Sequence, residues 1–447
     1  MLKEGISGIR GYEAELSSGL ITKYVKAFFK LVNPKKVVVG RDSRKSGERI
    51  VENINKALRS FGVTVLDIGI NPTPTVQVTT EKMGYDAGII VTASHNPLPW
   101  NGLKFVDASG TFFNREKMSK LLEIKEDMDD SLPDAFKEGG VIYNPEIADE
   151  HKKMVKNLRI VDRELISRRG FRVVVDAVNG ACSKLLPDLL EELGCEVVKI
   201  NCDFSKPFSR TPEPLPENLE DLERSVKEEK ADIGFAVDPD GDRLAIVSDE
   251  GKAIGEEYTV VFAIDLVLSR LAKGKKKVVV NLSTTKLVDD VAERYGAEVI
   301  RAPVGEINVV DKMRETGAVI GGEGNGGVIY PEAHYGRDSL VGAVLTLQLL
   351  AERNISVGQY VNSMPKYVML KQRVESAGVD LDRVISKIVD DLTPEHVDSR
   401  DGFKLSWSNR WVHIRPSNTE PIVRIYSEAK ERSIAQQLID RVKTFLS

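Results

Sequence analysis

A serine hydroxyl stands where an apolar run of this chain gives way to short polar residues. The run is Ala87-Gly88-Ile89-Ile90-Val91, and the polar segment after it is Thr92-Ala93-Ser94-His95-Asn96-Pro97. The run predicts a buried strand, and a hydroxyl just beyond such a strand is where a nucleophile would be placed. A lone serine in a loop is otherwise a turn or capping residue. Ser94 is therefore a candidate nucleophile, and the other motifs of the chain favour that role.

Three aspartates at alternate positions form a second motif, Asp238-Pro239-Asp240-Gly241-Asp242-Arg243. Crowding these carboxylates is costly without a cation, and hard oxygen ligands suit Mg²⁺. A helix-loop-helix calcium site needs glycine at the sixth position, where Arg243 stands, and it needs flanking helices, whereas strands are predicted here. Asp238, Asp240 and Asp242 are candidate metal ligands. The alternative is a solvated acidic turn, because Asp and Gly are common in turns.

A loop rich in hydrogen-bond donors lies near the C-terminus, Arg415-Pro416-Ser417-Asn418-Thr419-Glu420-Pro421. Its guanidinium, hydroxyls, amide and turn-exposed N–H groups are typical of a phosphate site. The candidate phosphate ligands are Arg415, Ser417, Asn418 and Thr419. Arg424, on the next predicted strand, either adds a second cation or points to solvent. A purely structural turn would explain the two prolines but not the density of donors.

The fourth motif is glycine-rich, Gly321-Gly322-Glu323-Gly324-Asn325-Gly326-Gly327. Glycine lets the backbone approach a ligand closely, and the motif presents two side chains. Glu323 and Asn325 could hydrogen-bond vicinal hydroxyls or an amine, which indicates recognition of a sugar. The spacing excludes a dinucleotide fingerprint. A flexible surface loop is the alternative.

The elements that position these motifs repeat along the chain. Three segments begin with Val-Val-Val, at 37–39, 173–175 and 278–280, and a helical stretch follows each. A second strand then starts at glycine, at Gly62, Gly194 and Gly296, and a third strand runs over 87–91, 232–237 and 318–321. β-Branched runs alternating with helices indicate buried, largely parallel sheets. Because ligands bind beyond the carboxyl ends of such strands, the motifs lie where a site is expected.

These repeats predict an α/β protein with three repeated mixed-sheet domains and a smaller C-terminal α+β domain. The predicted domains are 1–150 with the serine loop, 151–251 with the metal loop, 252–368 with the sugar loop and 369–447 with the phosphate loop. The last contains a strand at 411–414 and another at 422–426. The length of 447 residues alone indicates about three domains of ordinary size.

Composition restricts the partners and the compartment. The formal net charge is −5, which argues against a general nucleic-acid binder. Three cysteines without a C-x-x-C pair fit a reducing compartment, so we expect a cytoplasmic protein. No signal peptide or membrane span is evident, and small molecules are the expected partners.

Together the four motifs resemble those of the α-D-phosphohexomutase superfamily over the whole chain. The serine motif continues through Asn101-Gly102-x-Lys104, and Gly8-Ile9-Arg10-Gly11 matches the N-terminal arginine motif of that family. The resemblance implies four domains around a central cleft and a phosphorylated Ser94. It also implies Mg²⁺ bound by Asp238, Asp240, Asp242 and the group on Ser94.

By this resemblance, phospho-Ser94 converts a hexose 6-phosphate or 1-phosphate into a 1,6-bisphosphate and then takes back the other phosphate. A hexose 1,6-bisphosphate is the implied activator. Lys104 and Arg10 are candidates for proton transfer and charge stabilisation, and Arg243 would link the metal loop to the phosphoserine. His95 is expected to point away from Ser94 along an extended segment and to orient the loop. The absence of the G-x-S-x-G elbow argues against a serine hydrolase.

The sugar loop points to a hexosamine substrate. Many glucose and mannose mutases of the family carry Ser and then His after the loop glutamate, where this chain has Asn325 and Gly327. The Glu-x-Asn-Gly-Gly form resembles archaeal-type phosphoglucosamine mutases, and Glu323 could pair with a 2-ammonium group. The alternatives are a phosphomannomutase/phosphoglucomutase, a Mg²⁺-dependent sugar phosphatase and a non-catalytic sugar-phosphate sensor. We expect a monomer or a homodimer.

Overall fold

A computed structural model describes residues 2–6, 8–132, 139–272, 276–375, 380–416 and 422–446. Four sheets organise the chain, within 3–143, 172–248, 277–329 and 368–429. Each of four consecutive units contains one sheet, in agreement with the predicted α/β class and its smaller final domain. The boundaries placed between the domains stay a prediction.

The first unit holds a seven-stranded mixed sheet in the order β1-β2-β6-β5-β3-β4-β7. Its strands β5, β3, β4 and β7 are parallel, and β6, β2 and β1 add to the β5 edge in antiparallel pairs. The elements are β1 Lys3–Gly5, β2 Gly8–Tyr12, α1 Ser18–Val32, β3 Lys36–Arg41, α2 Ser46–Ser60, β4 Thr64–Ile70, α3 Thr73–Lys82, β5 Ala87–Val91, β6 Trp100–Asp107, α4 Arg115–Glu126 and β7 Val141–Tyr143.

The second and third units each hold a four-stranded sheet. The second comprises α5 Ala148–Lys156, α6 Arg163–Arg169, β8 Arg172–Asp176, α7 Leu185–Glu192, β9 Glu196–Ile200, α8 Glu220–Glu228, β10 Ile233–Val237 and β11 Leu244–Ser248. The third comprises α9 Glu257–Arg270, β12 Lys277–Asn281, α10 Leu287–Arg294, β13 Glu298–Ala302, α11 Glu306–Thr316, β14 Ile320–Glu323, β15 Gly327–Ile329, α12 Ser339–Arg353 and α13 Val357–Ser363.

The predicted repeat is confirmed at the level of topology. The orders β4-β3-β5-β6, β9-β8-β10-β11 and β13-β12-β14-β15 are the same, with three parallel strands and an antiparallel fourth. The second strands begin two residues after the predicted glycines. Gly62, Gly194 and Gly296 have positive φ of 80°, 85° and 63°, so each ends the preceding helical segment instead of opening a strand.

The glycine-rich motif is a β-hairpin and not a continuous loop. Its first glycines lie in β14, its last glycine begins β15, and only residues 324–326 form the turn. The predicted loop over 321–327 was therefore wrong in extent. The pairing of the two strands requires glycine at position 322, because a Cβ there would lie 2.2 Å from the carbonyl oxygen of Gly327.

The C-terminal unit is a five-stranded antiparallel sheet in the order β16-β20-β19-β18-β17. Two helices accompany it, and Ile388 and Ile439 bring them onto its core. The elements are β16 Val368–Glu375, α14 Leu381–Leu392, β17 His396–Asp398, β18 Phe403–Trp407, β19 Arg410–Pro416, β20 Ile422–Ala429 and α15 Arg432–Leu446. Both predicted strands of this unit are present.

The division of the chain into hydrophobic cores differs from its division into sheets. The second and third units share one continuous core, in which the buried helix α12 packs against α9 and against α5, α6 and α7. The first and C-terminal units have cores of their own. Buried polar contacts join the C-terminal unit to the third: Lys404 Nζ donates to the Leu282 carbonyl over 2.6 Å, and the Glu428 carboxylate accepts from Thr285 Oγ1.

Two further expectations concern the chain as a whole. Cys182, Cys195 and Cys202 are all free thiols. Within the described ranges, no single helix has the length and apolar composition to cross a membrane. Helices α12 and α13 meet that test only as a pair bent by 80°.

Candidate active site

The serine, metal and sugar motifs occupy the same position in the three repeated units. Each connects the third strand to the antiparallel fourth, between β5 and β6, β10 and β11, and β14 and β15. The repeat therefore carries three chemically different connections to one region, at carboxyl ends of parallel strands. A cleft of about 840 Å³ is lined by His95, Arg243, Asn325, Arg415 and Arg424, which come from all four units.

Ser94 is buried in an unusual backbone conformation. Its φ is +50°, in the left-handed region that costs a non-glycine residue energy. The conformation is held from both sides, because Ser94 N–H donates to Thr92 Oγ1 over 2.8 Å and Arg44 Nη2 donates to the Ser94 carbonyl over 2.8 Å. Strain kept by surrounding contacts is typical of functional positions. Ser94 Oγ lies 3.2 Å from Asp238 Oδ2.

His95 does not point away from the serine as expected. Its Nδ1 lies 3.3 Å from Ser94 Oγ, because the left-handed turn at Ser94 breaks the alternation of an extended segment. Burial, followed by the charges of Arg243 and Arg10, holds the pKa of His95 well below its usual range. The imidazole is therefore neutral at neutral pH, so it is able to accept a proton from the hydroxyl in a hydrogen bond.

The three aspartates form a buried cluster, so the alternative of a solvated acidic turn was wrong. All three side chains are fully buried, and one oxygen from each lies within 4.8 Å of the others. Oδ1 of Asp240 and Oδ1 of Asp242 have no hydrogen-bond partner among the described residues. Burial, with the charges of Asp242 and Asp240, raises the pKa of Asp238 well above its usual range. This donor set fits a hard divalent cation.

The cationic candidates surround this cluster. Lys104 Nζ, on β6, lies 2.7 Å from Asp240 Oδ2 and 3.6 Å from Asp242 Oδ2. Arg10 Nη1, on β2, donates to Asn96 Oδ1 in the serine loop over 2.9 Å. Arg243 Nη1 lies in the cleft, 2.9 Å from Glu213 Oε1. The structure thus brings Lys104 to the carboxylates and Arg10 to the serine loop.

The sugar motif presents one side chain that is already bound and one that is partly free. Glu323 is buried, and its carboxylate accepts from Asn281 Nδ2, the N–H of Gly305 and Arg337 Nη1, at 2.8, 2.9 and 2.7 Å. Asn325 lines the cleft, and its Oδ1 has no partner among the described residues. Arg337 was missed from the sequence, because it lies ten residues beyond the motif it serves.

The phosphate motif falls only partly within the described residues. Ser417, Asn418 and Thr419 lie outside them, so the structure describes only the flanking strands. Arg415 Nε lies 2.9 Å from Asp401 Oδ2.

A third arginine joins the two that the sequence indicated. Arg373, Arg424 and Arg415 are directly opposite one another on β16, β20 and β19, and all three line the cleft. Like charges opposite one another destabilise a sheet, so this arginine row is typical of an anion site. Sequence analysis missed Arg373 because only strand pairing reveals it.

Known proteins are similar to this chain over nearly its whole length. Models of phosphoglucomutase/phosphomannomutase alpha/beta/alpha domains I, II and III match residues 1–131, 149–251 and 254–367, and the C-terminal domain model matches 371–444. A probable phosphoglucosamine mutase of Methanopyrus kandleri is 34% identical over 98% of this chain and 96% of its own. A phosphoglucomutase/phosphomannomutase of Thermococcus kodakarensis is 35% identical over the same shares.

A solved structure is also similar in fold. The crystal structure of a phosphoglucomutase/phosphomannomutase family protein from Burkholderia thailandensis superposes with a TM-score of 0.84, at 28% identity, over 100% of this chain and 98% of that one. Four matched domains, relatives above 30% identity over nearly the full length and this likeness lead to one conclusion. The chain belongs to the phosphoglucomutase/phosphomannomutase family and is an isomerase of the phosphohexomutase superfamily.

Proposed function

We propose that this enzyme interconverts glucosamine 6-phosphate and glucosamine 1-phosphate through a phosphoserine at Ser94. The phosphoryl group leaves Ser94 Oγ for the free sugar hydroxyl, giving the 1,6-bisphosphate. The bisphosphate turns end for end, and Ser94 Oγ takes the other phosphoryl group. The main support is the 3.2 Å separation of Ser94 Oγ from Asp238 in a cluster of three buried carboxylates. Mg²⁺ bound there would neutralise charge on the transferred group.

The remaining residues bind and orient the sugar phosphate. The arginine row would hold the phosphate that is not reacting, together with the donor-rich loop that follows β19. Asn325 lines the cleft and would contact a sugar hydroxyl or amine there, and its buried Oδ1 has no hydrogen-bond partner among the described residues. Lys104 and Arg10 provide positive charge next to the carboxylates and the serine loop. His95, neutral and with Nδ1 3.3 Å from Ser94 Oγ, can accept a hydrogen bond from the hydroxyl in the unphosphorylated state.

Two observations support a hexosamine as the substrate: the residues of the sugar motif and a relative that is named a probable phosphoglucosamine mutase. The Methanopyrus kandleri relative is called a probable phosphoglucosamine mutase, whereas the Thermococcus kodakarensis relative supports the glucose and mannose alternative. The carboxylate of Glu323, held by Arg337, is close enough to Asn325 to act with it on one sugar edge.

Phosphorus NMR on the purified enzyme tests the proposal. Glucosamine, glucose and mannose 6-phosphates are supplied in separate tubes with Mg²⁺ and a trace of the matching 1,6-bisphosphate. We expect a sugar 1-phosphate signal that grows fastest with glucosamine. Faster growth with glucose or mannose would contradict the hexosamine assignment, inorganic phosphate alone would indicate a phosphatase, and no reaction with an unmodified intact mass would indicate a sensor.

Arg373→Gln tests the arginine row. Loss of one charge-assisted hydrogen bond to phosphate is expected to raise KM about tenfold with little change in kcat, because the contact is made equally throughout the reaction. Steady-state kinetics measure both constants. The matched control is Arg410→Gln, at the other end of β19 on the ring of Trp407. An unchanged KM for Arg373→Gln would remove this residue from the site.

A further inference from the structure

The side chain of Arg337 lies buried between the metal loop and the sugar motif. Its Nη2 is 2.6 Å from Asp242 Oδ2, its Nη1 is 2.7 Å from Glu323 Oε2, and its Nε is 3.0 Å from Glu306 Oε2. One guanidinium thus binds carboxylates of three separate segments, in two different units. A lysine has no comparable planar fork.

Gly327 leaves the space through which this side chain passes. A Cβ on Gly327 would lie 2.2 Å from Arg337 Cδ and 2.9 Å from Cγ. Gly327 does not have a positive φ, so its backbone would accept any residue. Position 327 therefore requires glycine because of the neighbouring Arg337 side chain and not because of the conformation of the turn. The side chain of Arg337, two residues before α12, fills the space that a side chain at position 327 would enter.

Asp242 is also a candidate metal ligand, and this gives Arg337 a second role. Its Oδ1 has no hydrogen-bond partner among the described residues and lies 3.8 Å from Arg243 Nε, whereas its Oδ2 faces Arg337 and Lys104. A divalent cation at the aspartates and the guanidinium of Arg337 therefore compete for the same negative charge. The Glu323 carboxylate, beside the cleft-lining Asn325, is held by Arg337 together with Asn281 Nδ2 and the N–H of Gly305.

We propose that Arg337 is a positioning residue that orients Glu323 for the sugar and lowers the affinity of the three aspartates for a divalent cation. The proposal rests on the proposed function for the identity of the sugar phosphate. It predicts opposite effects of one substitution. Without the guanidinium, the cluster is more negative and binds the cation more tightly, while Glu323 is misplaced and the sugar phosphate binds more weakly.

Arg337→Met tests this, because methionine keeps an apolar stem in the space over Gly327 and removes the charge. Isothermal titration of the full-length protein with Mg²⁺ is expected to show about tenfold tighter binding. Titration of the metal-free protein with glucosamine 6-phosphate, where no turnover occurs, is expected to show about tenfold weaker binding. Arg337→Lys keeps the charge and is expected to restore the Mg²⁺ affinity but not the full sugar affinity.

Arg353→Met is the matched control, since Arg353 is also bound to a buried carboxylate, that of Asp265, at the far end of α12. It should leave both affinities unchanged. If Arg337→Met fails to fold, Gly327→Ala displaces the same guanidinium without changing the charge of the chain, and the same two opposite shifts are expected.

Weaker binding of both ligands would mean a merely structural role, and no change in either would also overturn the proposal. A wild-type protein that binds Mg²⁺ but no sugar phosphate would instead contradict the proposed function. The Mg²⁺ titration of Arg337→Met would then still decide whether Arg337 opposes the cation.

Discussion

Ser94→Gly is expected to abolish isomerisation and, at the same time, to make the protein slightly more stable. Loss of the hydroxyl removes the atom that carries the phosphoryl group in the proposed reaction, so kcat should fall on the order of 10⁴-fold or more. Glycine adopts the φ of +50° without steric cost, so the free energy of unfolding should rise by up to about 1 kcal/mol. The coincidence of lost activity with gained stability is the signature of strain kept for function.

Thermal unfolding and the coupled turnover assay measure the two effects. Asn33→Gly is the matched control, because Asn33 has the same kind of backbone conformation, with φ of +51°, at the end of α1 away from the cleft. It should change stability alone. Appreciable isomerisation by Ser94→Gly would exclude Ser94 as the phosphoryl carrier, and intact mass of the wild type should reveal the phosphoryl group on that residue.

Asp238→Asn is expected to stabilise the metal-free enzyme and to abolish its response to Mg²⁺. Burial and the neighbouring carboxylates raise the pKa of Asp238 in the folded state, so the folded protein retains a proton that the unfolded chain has lost. The stability of the metal-free wild type therefore falls, through this group, as pH rises above the usual carboxyl range. Asparagine removes that dependence, because it carries no charge at any of these pH values.

Melting curves of the metal-free proteins across pH, with and without Mg²⁺, test the sign. The stability difference between Asp238→Asn and the wild type should grow as pH rises, and added Mg²⁺ should stabilise only the wild type. Asp176→Asn provides the contrast, since Asp176 is equally buried but bound by Arg210 Nε at 2.9 Å, and its loss should destabilise the protein. Destabilisation of the metal-free enzyme by Asp238→Asn would show that the cluster is not repulsive.

The elements of the fold that repeat were predictable from the sequence, because β-branched runs report burial directly. The first and third strands of each repeat agree with the structure, and the second strands failed only where a glycine of positive φ ends a helix. Ser94, the three aspartates and the glycine-rich motif could be proposed from the sequence because the residues of each motif are contiguous in the chain.

Arg337, Arg373 and Arg44 were not predicted, since their roles come from tertiary contacts. Arg44 reaches the carbonyl of Ser94 across fifty positions, and Arg373 becomes notable only because it pairs with Arg424, which pairs in turn with Arg415. His95 was misplaced because a single left-handed residue reversed the side-chain alternation. Long-range pairing and local φ leave no periodic signal in a sequence.

The common core of the second and third units holds the aspartates and Glu323 together. Ser94 and the arginine row belong to units with cores of their own, and buried polar contacts, such as Lys104 to Asp240 and Lys404 to the Leu282 carbonyl, join those units to the common core. Arg337, which binds both Asp242 and Glu323, fixes the spacing between the aspartates and the Glu323 carboxylate. In the proposed reaction, a bisphosphate that turns over in the cleft would therefore meet the same arrangement of carboxylates in both orientations.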